Sequence, residues 1–141
     1  MYLAQLPNLL NKKSIMKQDI SKIEDIQLMV NTFYGRIREN EILGPIFNNT
    51  IQDRWPEHLA KMYRFWESIL LNGYSYHGAP FPPHAKLPID RSHFDIWVGI
   101  FNNTVDDLFS GPIADEAKYR GALMANIFNS KIEIIKSKQN N

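Results

Sequence analysis

Apolar residues recur every three or four positions along most of this chain, the spacing of helices that bury one face. The pattern predicts an all-α fold with four principal helices. The first begins at Ser21, which forms a capping box with Glu24, and it ends before Gly44 and Pro45. One face of this helix is apolar and contains Ile23, Ile26, Val30, Phe33, Tyr34 and Ile37.

The second predicted helix carries a histidine on its apolar face. It follows the segment LGPIFNNT (residues 43–50), which is interpreted as a compact turn. Asp53 is expected to cap this helix, and Pro56 is tolerated because the first turn leaves its own N–H groups without partners. His58 shares the apolar arc with Trp55, Leu59, Met62, Phe65, Trp66 and Ile69.

A long segment, Leu71–Ile89, separates the second and third helices. Its prolines and glycines exclude a long helix, so it is predicted to be mainly irregular, with room for at most a short turn around His84. Long loops in small domains are usually functional or disordered, and the aromatic content of this one argues against disorder.

The third and fourth helices complete the pattern. The third begins after Pro88 with Asp90 or Ser92 as its cap and ends near Ser110. The fourth extends from about Ala114 to the last lysines. The apolar face of the third contains Phe94, Trp97, Val98, Phe101, Val105 and Leu108, and that of the fourth contains Ala117, Gly121, Met124, Ile127, Phe128 and Ile135.

Length and composition narrow the class of protein. The 141 residues suit a single domain, with residues 1–18 as an N-terminal extension and 19–137 as the folded unit. A net charge of +1 supplies no basic field for nucleic acid. No apolar run is long enough to span a membrane and the N-terminus lacks a secretion signal, so we expect a cytoplasmic protein.

The absence of cysteine excludes disulfides, Cys-ligated metals and a cysteine nucleophile, and leaves four histidines as candidate metal ligands. His84 lies in a rigid Pro-rich loop that can aim an imidazole, although a half-exposed loop histidine is the more common situation. His58 lies at the edge of an apolar arc, where a hydrogen-bonded core histidine is the ordinary outcome. His77 and His93 are given no role. Zincin, di-iron, serine-hydrolase and P-loop motifs are absent from the sequence.

Four segments together carry a family resemblance. In order they are FYGRIRENEILGPIFNN, WPEHLAKMYRFWESIL, PPHAKLP and HFDIWVGIF. This series, within residues 21–130, resembles the truncated haemoglobins and is most similar to their third group. The resemblance implies a globin-like "2-over-2" helical sandwich in which the proximal region is a mostly irregular loop. It also implies haem b (iron protoporphyrin IX) as the cofactor.

The resemblance assigns a role to each matching position. His84 would be the proximal iron ligand. Tyr34, His58 and Trp97 would form the distal polar set that stabilises a bound ligand. The remaining positions would line the haem: Phe47 packs on the porphyrin, Met62 lines the cavity and Lys61 meets a propionate, with a solvated lysine as the alternative.

The implied function is binding of O₂, NO or another diatomic ligand at a five-coordinate haem iron. Redox chemistry on NO or peroxide, similar to a dioxygenase or a peroxidase, is a candidate activity and would need a reductase as partner. An alternative of another class is a haem-free helical interaction or sensor module. A non-haem zinc or iron site is less favoured because two histidines without a carboxylate cluster supply too few ligands.

Overall fold

The computed structural model describes residues 16–72 and 87–139, and the regular structure of these residues is entirely helical. This confirms the all-α prediction. The helices are α1 (Ile23–Glu39), α2 (Leu43–Ile51), α3 (Trp55–Leu70), α4 (Arg91–Leu108) and α5 (Pro112–Gln139). None of the helices in the described ranges has the length and apolar character needed to cross a membrane.

Helix α1 lies at the centre of the fold, because it packs against α2, α3 and α4. Its predicted apolar face is buried at Ile26, Val30, Phe33, Tyr34 and Ile37, whereas Ile23 is half-buried and the core also contains Met29. Helix α4 packs along α5, and α5 also contacts α3. The apolar face of α1 therefore forms the core, because its aromatic side chains lie between the other helices.

The first helix has its N-cap one residue later than predicted. Its N-cap is Lys22, and the carboxylate that reaches back belongs to Asp25 and not to Glu24. Asp25 Oδ2 accepts hydrogen bonds from the backbone N–H groups of Ser21 (2.9 Å) and Lys22 (3.2 Å). The helix therefore begins with a capping box, as predicted, but both of its residues lie one position later in the sequence.

The segment predicted to be a turn is helix α2. Asn40 Oδ1 accepts from the N–H groups of Ile42 (3.0 Å) and Leu43 (2.9 Å), which starts the helix. Pro45 lies in the first turn, where its missing N–H has no intrahelical role. The expected Asp53 cap is also wrong, since the N-cap of α3 is Arg54 and no side chain caps it there. Asp90 does cap α4, with Oδ1 accepting from Ser92 N.

The chain that precedes α1 is bound to the junction of α4 and α5. Gln18 O accepts from Ser110 N (3.1 Å), and Lys17 Nζ donates to Asp106 O (2.6 Å). The predicted boundary between an extension, residues 1–18, and a domain, residues 19–137, stays a prediction. Residues 1–15 lie outside the described residues, as does most of the predicted irregular segment, 73–86.

Candidate functional site

The candidate site is centred on Tyr34, which α1 directs between α2 and α3. Tyr34 is 6% exposed, and its ring meets those of three residues on α2 and α3. The centroid distances are 6.2 Å to Phe47, 5.8 Å to Trp55 and 5.0 Å to His58. Burial raises the pKa of the Tyr34 hydroxyl above its ordinary value. The hydroxyl therefore stays protonated and can donate a hydrogen bond.

Helix α3 supplies the other polar ring of the site. His58 is half-buried, and its ring meets Tyr34 edge to face at an interplanar angle of 85°. Met62 lies one turn further along α3, is half-buried and packs against the core. Lys61 is exposed on the same helix. The i, i+4 spacing of His58 and Met62 thus places both toward the interior, as the sequence predicted.

Trp55 also belongs to the site, although the sequence predicted it only as an apolar position of α3. Its ring meets His58 at 5.6 Å and lies under the guanidinium of Arg38, whose Cζ is 4.5 Å from the ring centroid. Its buried Nε1 has no hydrogen-bond acceptor among the described residues. A buried donor of this kind is normally satisfied by an ordered water or a ligand atom. In the sequence, the position of Trp55 one turn before His58 on the same helical face indicates that the two side chains lie together.

Trp97 approaches the site from α4, on the far side of Phe33. Among the described residues, its ring contacts are with Phe33 at 5.1 Å and with Phe101 at 5.4 Å. Phe33 also meets the Tyr34 ring at 4.9 Å. The structure therefore brings Tyr34, His58 and Phe47 into one cluster and joins Trp97 to that cluster through Phe33. Phe33, adjacent to Tyr34 in sequence, was counted only as a core residue.

His84 and His77 lie outside the described residues. His93, which was given no role, pairs with Asp90 at the start of α4, with Nδ1 3.1 Å from the Asp90 carboxylate. Within the described part of the chain, no three His, Asp or Glu side chains converge on a metal-sized site.

The sequence matches the model of the bacterial-like globin family over residues 18–128. The chain belongs to this family of globins. A group 3 truncated haemoglobin of Campylobacter jejuni is 31% identical over 121 residues, an alignment that covers 83% of this chain and 95% of that protein. The globin is therefore a truncated haemoglobin, as its four sequence segments predicted.

Solved structures agree with the fold of this globin. The crystal structure of a group III truncated haemoglobin from Campylobacter jejuni superimposes with a TM-score of 0.76 at 30% identity, covering 83% of this chain and 95% of that one. The truncated oxygen-avid haemoglobin of Bacillus subtilis, at 24% identity, matches with a TM-score of 0.65 and covers 76% of this chain and 92% of its own. The second likeness concerns the fold alone, and both confirm the predicted globin-like class.

Membership of the truncated haemoglobins implies a haem-binding globin, and the chemistry of the described residues fits that group. The ligand side of a haem needs few polar donors in an apolar surround. Tyr34 supplies a protonated hydroxyl, His58 an imidazole, and Trp55 a buried N–H without an acceptor among the described residues. Phe47 and Met62 supply apolar surface beside them.

Proposed function

We propose that this truncated haemoglobin binds haem b and that His84 would hold its iron. O₂, NO or another diatomic gas would bind at that iron beside Tyr34 and His58. The bound haem supplies an iron centre that takes a diatomic ligand and exchanges electrons. The role of His84 is supported by its place in PPHAKLP, the segment that resembles the proximal region of the family.

The contact between Tyr34 and His58 is the single observation that carries this proposal. Two polar rings meet at 5.0 Å in a cluster that is otherwise aromatic and apolar. Burial keeps the Tyr34 hydroxyl protonated, so it is available as a donor. Hydrogen-bond donors in such a surround stabilise a ligand that gains partial negative charge, because water does not screen the interaction.

The other residues have separate tasks in this proposal. His58 donates or accepts a hydrogen bond, depending on its tautomer, and its half-buried position suits a group that gates access. Trp97 donates through its indole N–H. Phe47 packs against the porphyrin and Met62 lines the cavity. Lys61, which is exposed, meets a propionate at the edge of the haem.

Several hydrogen-bond donors around the bound gas slow its release, which favours tight binding of O₂ over its transport. A globin that holds O₂ tightly releases it poorly, so we propose redox chemistry on NO or peroxide, or sensing, in preference to transport. Redox turnover requires a reductase that returns ferric iron to the ferrous state. We propose that the protein works in the cytoplasm, where such reductases occur.

Haem titration followed by absorption spectroscopy tests the proposal. We expect the wild-type chain to develop an intense Soret band that saturates at one haem per chain. A colourless chain after reconstitution would instead favour the haem-free interaction or sensor module. In the same titration, His84→Gly should lose haem or hold it without a protein axial ligand. His93→Ala is the matched control and should behave as wild type.

The outcome for His84→Gly is decisive for the ligand assignment. If that variant keeps the five-coordinate ferrous spectrum of the wild type, His84 is not the axial ligand. A haem-binding globin would remain, with its iron held by another residue.

A further inference from the structure

Gly121, in the N-terminal half of α5, lies directly against the aromatic side chains of α4. A Cβ atom at this position would be 2.9 Å from Phe101 Cδ2 and 3.0 Å from Phe101 Cε2. It would also be 3.5 Å from Trp97 Cζ3. Glycine is intrinsically less favourable than alanine inside a helix, so its presence here has a packing reason. The missing side chain lets the Phe101 ring lie against α5.

Phe101 cannot move without moving the rings packed against it. Its ring is stacked on Trp97 at 5.4 Å and 9°, and on Trp66 at 4.9 Å and 18°. The edge of Phe33 meets it at 5.2 Å and 86°. Phe101 is 1% exposed. Because interiors are close-packed, a displacement of this ring passes to the rings stacked on it.

Trp97 is the member of the stack to which the proposed function gives a role, and Phe33 joins it to Tyr34. Trp97 is half-buried, whereas Trp66 and Phe101 are buried. Phe33 touches Trp97 on one side and Tyr34 on the other, at centroid distances of 5.1 and 4.9 Å. The distance between the Trp97 indole and the Tyr34 hydroxyl therefore depends on how far the stacked rings of Trp97, Phe101 and Trp66 extend into the core.

We propose that Gly121 is a positioning residue for the ligand site. By leaving room for Phe101, it sets the depth of the Trp97 indole relative to Tyr34. This inference rests on the proposed function, in which Trp97 donates to the bound gas. A methyl group at residue 121 pushes Phe101 away from α5, and the stack carries Trp97 with it.

The first test uses the chain without haem. The sequence holds three tryptophans, so ¹⁵N-labelled protein shows three indole N–H signals, and Trp97→Phe assigns one of them. We expect Gly121→Ala to shift the Trp97 signal. Gly99→Ala is the matched control, because Gly99 is an exposed helical glycine with nothing within 4 Å of its missing Cβ. An unmoved Trp97 signal in Gly121→Ala overturns the proposal, whether or not the chain binds haem.

The second test is a double-mutant cycle on O₂ dissociation from the ferrous haem complex. We expect Gly121→Ala to change the off-rate in the wild-type background and to leave it unchanged in the Trp97→Phe background. The same change in both backgrounds would show a general packing effect and overturn the positioning role. If Gly121→Ala does not fold, Phe101→Leu replaces it in the cycle, because it loosens the stack from the other side and should show the same dependence on Trp97.

The two tests fail in distinguishable ways. Absence of a Soret band overturns the proposed function. An unmoved indole signal, or an effect that does not depend on Trp97, overturns only the role of Gly121.

Discussion

The carboxylate of Asp19 caps helix α5, which begins more than ninety residues further along the chain. Its two oxygens accept hydrogen bonds from Ile113 N at 2.9 Å and Ala114 N at 2.8 Å. These N–H groups belong to the first turn of the helix, which has no intrahelical acceptors for them. The contact holds the chain before α1 against the longest helix of the fold.

Asp19→Ala should therefore lower the free energy of unfolding by about 0.5–2 kcal/mol, the range for loss of an N-cap side chain. Urea denaturation of the haem-free chain measures this value. Asp95→Ala, which removes an exposed carboxylate of α4, is the control and should have little effect. Equal losses in the two variants would show that the Asp19 contact does not stabilise the fold.

Replacement of two glycines near the site by alanine should have different effects on the free energy of unfolding. At Gly44, in α2, a Cβ would lie 2.6 Å from Arg38 O, and this backbone atom has little freedom to move. We expect Gly44→Ala to destabilise the chain by about 1–3 kcal/mol through overpacking. Gly35 is exposed in α1 with nothing within 4 Å, so Gly35→Ala should be neutral or stabilising by up to about 1 kcal/mol. Denaturant unfolding of both variants checks the opposite signs.

The helices that the sequence predicted are those with a sustained apolar period. Helix α2 was missed because Gly44, Pro45, Asn48, Asn49 and Thr50 are typical of turns, while the observed helix depends on packing against α1 and on a side-chain cap. Tertiary contacts of this kind override local propensity. A local sequence pattern could not predict the Asp19 cap either, because this contact joins positions far apart in sequence.

The candidate site was predictable in part for the same reason. His58 and Met62 share a helical face by spacing alone, and Tyr34 belongs to the α1 stripe. Their meeting depends on how α1 crosses α3, which a periodic pattern does not specify. Trp55 was therefore predicted only as an apolar position, although its ring meets those of both Tyr34 and His58.

The cap of α4 should respond to acid. Hydrogen bonds from the Ser92 side chain and backbone N–H lower the pKa of Asp90 from 3.8 to about 2, with a smaller effect from His93. A carboxylate whose folded pKa is depressed stabilises the fold above its unfolded pKa, and this contribution is lost as the pH falls through the folded value. The difference in unfolding free energy between wild type and Asp90→Ala should be largest near neutral pH. It should decrease as the pH falls from about 4 to about 2, because Asp90 is then protonated. A difference that stays constant over that range would show that ionised Asp90 does not stabilise the helix.

In the proposed function, the Tyr34 hydroxyl donates a hydrogen bond to a gas ligand held beside His58. Tyr34→Phe removes that hydroxyl at nearly constant volume, so the hydrogen bond is separated from packing. A hydrogen bond to a partly charged acceptor contributes about 1.5–3 kcal/mol, which corresponds to O₂ dissociation faster by roughly one to two orders of magnitude. Bound carbon monoxide is less polar and should dissociate at nearly the same rate.

Stopped-flow measurement of O₂ and carbon monoxide release from the ferrous haem complexes of wild type and Tyr34→Phe tests whether the Tyr34 hydroxyl is a donor to the bound gas. We expect a large acceleration for O₂ and a small one for carbon monoxide. Equal O₂ off-rates in the two proteins would leave Tyr34 as a packing residue and contradict its role as a donor. Parallel acceleration of both gases would contradict it too, because it would point to altered access instead of a lost hydrogen bond.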